Sequence, residues 1–259
     1  MAQINKPSDY FNTVLYSGDD TTTRNITGFG FQPDFVWNKA RSSAYNHYLI
    51  DAVRGSPGKV LISNATNAED NDSGFQNSFK GFVADGNTIG QQSGYEVNDS
   101  GVNYVQWGWK ANGAGSANTE GSINSIATSA NATSGFSIVK YTGNGSTNQT
   151  IGHGLGTVPD FVIVKQTNTT RNWPTYSRAM GNGVTFLDIT DAFASGYTNY
   201  FYPAGMTTTT FGISDNGNIN ESGGTYIAYV FSSRTGYSKF GKYTGNGNAD
   251  GTFVYTGFK

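Results

Sequence analysis

Cysteine is absent from all 259 residues. That excludes disulfides, a cysteine-ligated zinc site and a thiol nucleophile, and it leaves the redox compartment open. Charge is also scarce. Asp, Glu, Lys and Arg make up 13% of the chain, the net charge is −2, and no basic cluster stands out. The electrostatic footprint of a nucleic-acid binder is therefore missing. No apolar run approaches the ~20 residues of a membrane span. The opening Met1-Ala-Gln-Ile-Asn-Lys-Pro-Ser-Asp-Tyr10 has no apolar core of a secretory signal. The expectation is a soluble protein, not inserted in membranes, that leaves its cell by lysis or an unconventional route.

What is present points to β structure. Glycine accounts for 35 residues, aromatics for 14%, and Ser, Thr and Asn are plentiful, while helix-forming runs of Leu, Ala, Glu and Lys are nearly missing. Low charge with many aromatics argues against disorder.

The chain is organised around residues 135–165. Phe136, Ile138 and Lys140 alternate with Ser137, Val139 and Tyr141, the period of an extended segment. Asn144-Gly145 is a turn signal, because glycine adopts positive φ without cost. Pro159, which has no backbone donor, marks a strand entrance. Phe161-Val162-Ile163-Val164 is apolar on both faces, as in a strand buried between layers.

This stretch recurs. Tyr16, Pro33-Asp34-Phe35-Val36 and Lys39 match Tyr141, Pro159-Asp160-Phe161-Val162 and Lys165. The offset is 125 residues at the tyrosines (16 to 141) and 126 at the prolines (33 to 159). A third, partial copy runs Lys242-Tyr243-Thr-Gly-Asn-Gly247, then Thr252-Phe253-Val254-Tyr255. The closing segments match as well: Tyr104-Val105-Gln106-Trp107-Gly108-Trp109 against Tyr226-Ile227-Ala228-Tyr229-Val230-Phe231. First Tyr to last Tyr spans 88 residues in one copy (16 to 104) and 85 in the other (141 to 226). Such a period means tandem globular domains and not a solenoid of ~20–50-residue units.

The expected organisation is all-β: an N-terminal arm (1–10), a β-sandwich repeat (11–110), a small-residue linker (111–134) with Ile123 and Ile126 docking on a sheet, a second β-sandwich repeat (135–233), and a partial third repeat (234–259). Each repeat has about seven to nine short strands in ~100 residues, the pattern of an antiparallel β-sandwich. The first and last strands of each unit are the most apolar and are expected centrally, through a Greek-key or jelly-roll connection. Val184-Thr-Phe186 matches Val60-Leu-Ile62, with Ser56-Pro57-Gly58 opening the first of these strands. Thr210-Phe211-Gly-Ile213 is matched to Gly81-Phe82-Val83. Val105, Trp107 and Trp109 fall on one face of their strand, Tyr104, Gln106 and Gly108 on the other. The hairpin at 237–259 is expected as an added strand on the second domain or on a neighbouring subunit.

Candidate chemistry is thin. His47 and His153 have no ligand set around them, and His153, in a Gly-His-Gly-Leu-Gly bend, reads as a backbone-bonded residue. The glycines at 152–156 are followed by a proline and a strand, so no phosphate loop is read there. Asp19, Asp20, Glu69, Asp70, Asn71, Asp72, Asp99, Asp215, Glu221 and Asp250 sit in turns. Such groups can hold Ca²⁺, but Asp and Asn are also simply turn formers, and this reading is favoured. Matched acids are Asp34 with Asp160 and Asp99 with Glu221, at strand starts; nothing singles out a glycosidase pair. Trp37, Trp107, Trp109 and Trp173 could stack on sugars, though core or interface positions are favoured. No catalytic residue, metal site or cofactor is assigned, and the ligand-binding residues are left open.

Taken together, Ile4 to Phe11, Trp107 to Gly115, Tyr141 to Gly145, Gly152 to Lys165 and Ser222 to Phe231 resemble virion structural proteins of tailed phages of marine bacteria, including phages of cyanobacteria. The resemblance covers essentially the whole chain. It implies concanavalin-like β-sandwich repeats in a tail fibre, tail appendage or capsid decoration, located in the virion and extracellular after host lysis. It implies partners that are further copies of the chain and other virion proteins, and no enzymatic activity. Relatives of this kind run on past the third Tyr-Thr-Gly-Asn-Gly, whereas this chain ends at Lys259, as a truncated or short form. The competing reading is a lectin-like carbohydrate-binding module for host-surface glycans; a glycoside hydrolase or lyase ranks last.

Overall fold

The structure, a computed structural model, describes residues 3–55, 57–70, 73–91 and 94–258. Ser56, Asn71 and Asp72, named above as turn residues, lie outside the described residues.

The chain is all-β, built from antiparallel sheets packed as sandwiches. The strands are β1 (Phe11–Ser17), β2 (Arg24–Thr27), β3 (Phe35–Ala40), β4 (His47–Asp51), β5 (Leu61–Ile62), β6 (Phe79–Val83), β7 (Gly86–Ile89) and β8 (Asn103–Trp109), followed by β9 (Ala127–Asn131), β10 (Phe136–Thr142), β11 (Gln149–Gly152), β12 (Phe161–Gln166), β13 (Pro174–Ser177), β14 (Gly183–Phe186), β15 (Ala194–Ser195), β16 (Thr210–Ile213) and β17 (Thr225–Phe231). Two short helices, α1 (Ser73–Ser78) and α2 (Gly217–Asn220), sit in connections. Helix α1 falls in the stretch 64–78, where six residues are too few to carry a helical period.

The first half forms a main sheet ordered β1-β8-β3-β4-β5 and a small sheet β2-β7-β6. The second forms a main sheet β15-β14-β13-β12-β17-β10-β9 and a small sheet β11-β16. In both main sheets the last strand of the half lies between the first and third: β8 between β1 and β3, β17 between β10 and β12. In each half one core fills the space between main and small sheet. Tyr16, Ile26, Val36, Phe79, Ile89 and Tyr104 belong to the first core. Val139, Tyr141, Ile151, Val162, Phe211 and Tyr226 belong to the second.

Paired tyrosines anchor each sandwich. Tyr16 stacks on Tyr104 at 5.0 Å and 13°, and Tyr141 on Tyr226 at 5.1 Å and 13°. Their hydroxyls close the connection before the last strand. The Tyr16 hydroxyl donates to the Val97 carbonyl at 2.6 Å, and that of Tyr141 to the Ile219 carbonyl at 2.7 Å. Tyr104 and Tyr226 accept the amides of Asp99 and Glu221 at 3.1 and 2.7 Å. Buried phenols need such partners, since an unbonded hydroxyl away from water costs free energy. Asp34 and Asp160 do the same at the strand exits, each accepting a backbone amide at 2.7 Å, from Ala111 and from Ser233.

Three expectations change. Strand β16 pairs with β11 as β7 pairs with β2, so Thr210–Ile213 stands opposite Gly86–Ile89 in this correspondence and not Gly81-Phe82-Val83. The first strand of the first half is an edge strand, not a central one. The 111–134 segment is no slack connector: Ala127–Asn131 pairs along β10, and Ile123 is buried against the second core, while Ile126 is exposed. Periodicity missed β9 because Ala-Thr-Ser-Ala-Asn has no large apolar residue to mark a face.

The two main sheets face each other across a third core of Phe35, Leu49 and Leu61 from one side and Phe136, Ile138, Ile163, Ile227 and Tyr229 from the other, with Trp173. The result is four layers: small, main, main, small. Polar groups cross this middle layer. Arg54 Nε donates to Asp51 Oδ2 at 2.6 Å, both side chains essentially without solvent. Tyr229 of the second half donates to the same Oδ2 at 2.8 Å, and Arg54 also reaches Glu69 at 3.2 Å and the Leu49 carbonyl at 2.9 Å. The Trp173 indole donates to the carbonyls of Ile62 and Ala65, and backbone bonds join Glu69 to Thr167 and Arg171 to Thr66.

Removing one member of a buried ion pair strands the other charge without compensation. Arg54→Met is expected to lower unfolding stability by about 3–5 kcal/mol in urea denaturation. Tyr229→Phe, which removes one bond to a charged group, is expected to cost less, about 1.5–3 kcal/mol.

Candidate contact surfaces

The histidines are structural in their surroundings. His153 is buried, accepts the Leu155 amide on Nδ1 at 3.1 Å and turns Nε2 to the Thr207 carbonyl at 3.3 Å. Burial holds its pKa below the usual histidine value. His47 accepts the Trp37 indole N–H on Nδ1 at 3.2 Å; burial, then the nearby Lys39 charge, lowers its pKa.

The turn acids bond their own turns or neighbouring segments. Asp19 Oδ1 accepts from the Thr21 hydroxyl at 2.6 Å and amide at 3.0 Å and from Asn98 at 2.9 Å. These bonds, the Thr21 hydroxyl foremost, hold its pKa at about 2. Asp20 accepts the Ser100 amide, Asp215 the Ser214 hydroxyl, and Asp250 donates its amide to Asn248. Glu221 accepts from Gln166 and pairs with Arg171, bonds that lower its pKa. Asp70 accepts the Tyr95 hydroxyl, Glu69 the Arg54 guanidinium, and Asp99 lies against Tyr45. Among the described residues no three of His, Asp and Glu gather as a metal set would.

The tryptophans separate. Trp173 is fully buried in the middle core. Trp107 is half-buried on the face expected for it, opposite Trp37 in the ladder. Trp37 and Trp109 line a groove of about 350 Å³ at the mouth between the main sheets, with Phe11, Phe161, Phe231 and Phe240. Its side-chain hydroxyls are those of Ser134, Ser238 and Tyr237. The lining is aromatic and uncharged, so it suits an apolar or ring-faced ligand.

Phe240 closes the groove by stacking on Phe161 at 5.7 Å and 9°. Past it the chain loses regular structure. Residues 239–258 form no strand, so the expected hairpin is not formed in this molecule. Tyr243, Phe253, Val254 and Tyr255 are 71%, 87%, 52% and 72% exposed. The matching Tyr141 is buried because Tyr226 covers it; no strand offers Tyr243 such a cover. Beyond Phe240 the segment folds back on itself, the Thr252 hydroxyl donating to the Thr244 carbonyl at 2.8 Å and Lys239 lying over the Tyr255 ring.

Sequence reasoning missed three buried cations, Arg54, Lys165 and Arg234. Lys165 was visible only as the match of Lys39. The two matched lysines clip the loop six residues on: Lys39 Nζ donates to the Tyr45 carbonyl at 2.8 Å, Lys165 Nζ to the Arg171 carbonyl at 2.9 Å. Lys165 adds the Thr66 carbonyl of the first half at 3.2 Å and the Trp173 ring at 5.9 Å. No helix of the described residues is long and apolar enough to cross a membrane.

Residues 6–259 match a family described as a domain of unknown function, DUF7483. No curated protein and no solved structure matches the chain.

Burial depresses the Lys165 pKa to about 8, below the ~10.4 of an unfolded lysine. Between these values the unfolded chain binds more protons, so this residue's contribution to stability rises with pH. The difference in unfolding free energy between the native chain and Lys165→Met is therefore expected to move in favour of the native chain from pH 8 to 9.5. A flat difference in denaturation curves would contradict a desolvated ammonium.

Proposed function

Since the chain belongs to the DUF7483 family, whose description carries no activity, we propose from geometry and motif resemblance that it is a phage virion structural protein, in a tail fibre, tail appendage or capsid decoration, working by homotypic assembly and surface contact. The observation that carries the reading is the aromatic segment 243–255, left uncovered beside a well-packed body. Exposed aromatic clusters of this kind mark interaction surfaces. The histidines and the turn acids Asp19, Asp20, Glu69, Asp70 and Glu221, engaged in bonds to neighbouring groups, fit building material. In this reading halves 11–110 and 135–233 are copies of one concanavalin-like jelly-roll unit, and 234–259 opens a third. The matching strand orders and the two tyrosine stacks support a copied unit.

A second reading is favoured by the groove alone. Its rings could lie on the faces of host-surface sugars, which would make the protein a lectin-like attachment module. Its few hydroxyls offer little for the sugar's own hydroxyls, so it ranks second.

Gold-labelled antibody against the chain is expected to decorate intact phage particles, and the purified chain to scatter light as an oligomer. Deleting 237–259 is expected to reduce that oligomer to monomer. A monomer at all concentrations, with unlabelled particles, would overturn the reading. Binding on a glycan array would favour the second.

A further inference from the structure

Strand β1 is an open edge. Gly18 donates to the Val102 carbonyl and Lys110 to that of Tyr10, so the even-numbered residues of β1 bond β8 and the odd-numbered ones point outward. Two outward groups are engaged: the Thr13 amide by Asn12 Oδ1 and the Ser17 carbonyl by Arg24. The amides and carbonyls of Phe11 and Leu15 have no partner among the described residues. The strand carries no proline, no charge and no bulge, the usual guards of an edge, and its Leu15 is 60% exposed. The other outer strands of the main sheets are guarded. Strands β5 and β15 are two residues each, and β9 is covered by the bridge of Ser116 to Thr128.

The second half has what the first lacks. Strand β10 stands where β1 stands, and its outer side is taken by β9, with Phe136, Ile138 and Lys140 opposite Asn131, Ser129 and Ala127. The corresponding positions on β1 are Phe11, Thr13 and Leu15. A covering strand of five residues is what the site takes.

The same chain exposes such a piece. Thr252-Phe-Val-Tyr-Thr256 is five residues of high strand preference, without charge, proline or glycine. It is exposed and outside any sheet. Each molecule thus has one vacant edge and one unpaired strand-former, and it leaves them apart although Phe240 at the start of the tail stacks on its own body. The two features complement each other between molecules.

We propose that residues 252–256 of one copy pair antiparallel along β1 of a second copy, in the place that β9 takes on β10. Each molecule gives one strand and receives one, a head-to-tail contact that closes into a ring or extends as a filament. This deepens the assembly reading and rests on it.

The absence of native cysteine makes the test direct. Leu15→Cys and Val254→Cys are made in separate full-length chains, mixed, and treated with a short bismaleimide. Both sites are solvent-exposed, so neither change touches a core. The expected result is a crosslinked pair of the two variants, lost when Thr252→Pro and Thr256→Pro accompany Val254→Cys, because each proline removes a donor that faces β1. Light scattering on the same mixture separates the failures. Assembly without crosslinking would overturn the edge pairing and leave the assembly reading standing. Monomers throughout would overturn both. Crosslinking only when both cysteines share one chain would mean that the segment closes its own edge, overturning the pairing between copies.

Discussion

The arrangement of the halves depends on one ion pair set in an apolar layer. Asp51 and Arg54 sit in the first half with essentially no solvent, and the second half supplies the Tyr229 hydroxyl to the same carboxylate oxygen. Burying charge is costly unless every donor and acceptor finds a partner. Here the guanidinium reaches Asp51, Glu69 and the Leu49 carbonyl within the first half, and the buried Tyr229 hydroxyl meets its carboxylate acceptor only in one register of sheet on sheet. Aliphatic and aromatic contacts alone would tolerate sliding. The shared carboxylate gives that layer a fixed point, and the Trp173 indole and Lys165 ammonium add two more.

Much of the fold was legible because its determinants are local and repeated. Pro-Asp-Phe-Val marks a strand entrance: the proline cannot donate, and the aspartate caps a backbone amide across the sheet. The recurring tyrosines were visible as a spacing, and they form the stacks that join first and last strands. The alternation of Tyr104, Gln106 and Gly108 against Val105, Trp107 and Trp109 also held. Gln106 bonds Asn87 in the first core, and Gly108 lies under Phe29, where a Cβ would come within 2.4 Å of the ring.

The rest was hidden for physical reasons. Strand β9 owes its existence to pairing with β10, not to its own Ala, Thr, Ser and Asn. The β16 match was misjudged by the shared aromatic at Phe82 and Phe211, since side-chain likeness ranks below ladder position. Arg54 carries no pattern at all; its role exists only once Asp51, Glu69 and Tyr229 converge from distant positions. Of the surface candidates, the four tryptophans were noticed, but only the meeting of two sheets makes a groove of Trp37 and Trp109 and leaves Trp173 in the middle core.

The stretches before the first strand and after the last lie together. The Ile4 amide donates to the Thr235 carbonyl at 3.0 Å, and Gly236, at φ +79°, passes so close that a Cβ would sit 2.6 Å from the Ile4 oxygen. Entry and exit therefore share one side of the body. The two stretches are held by one short crossing, so fraying at Ile4 would release Thr235 and Gly236 with it.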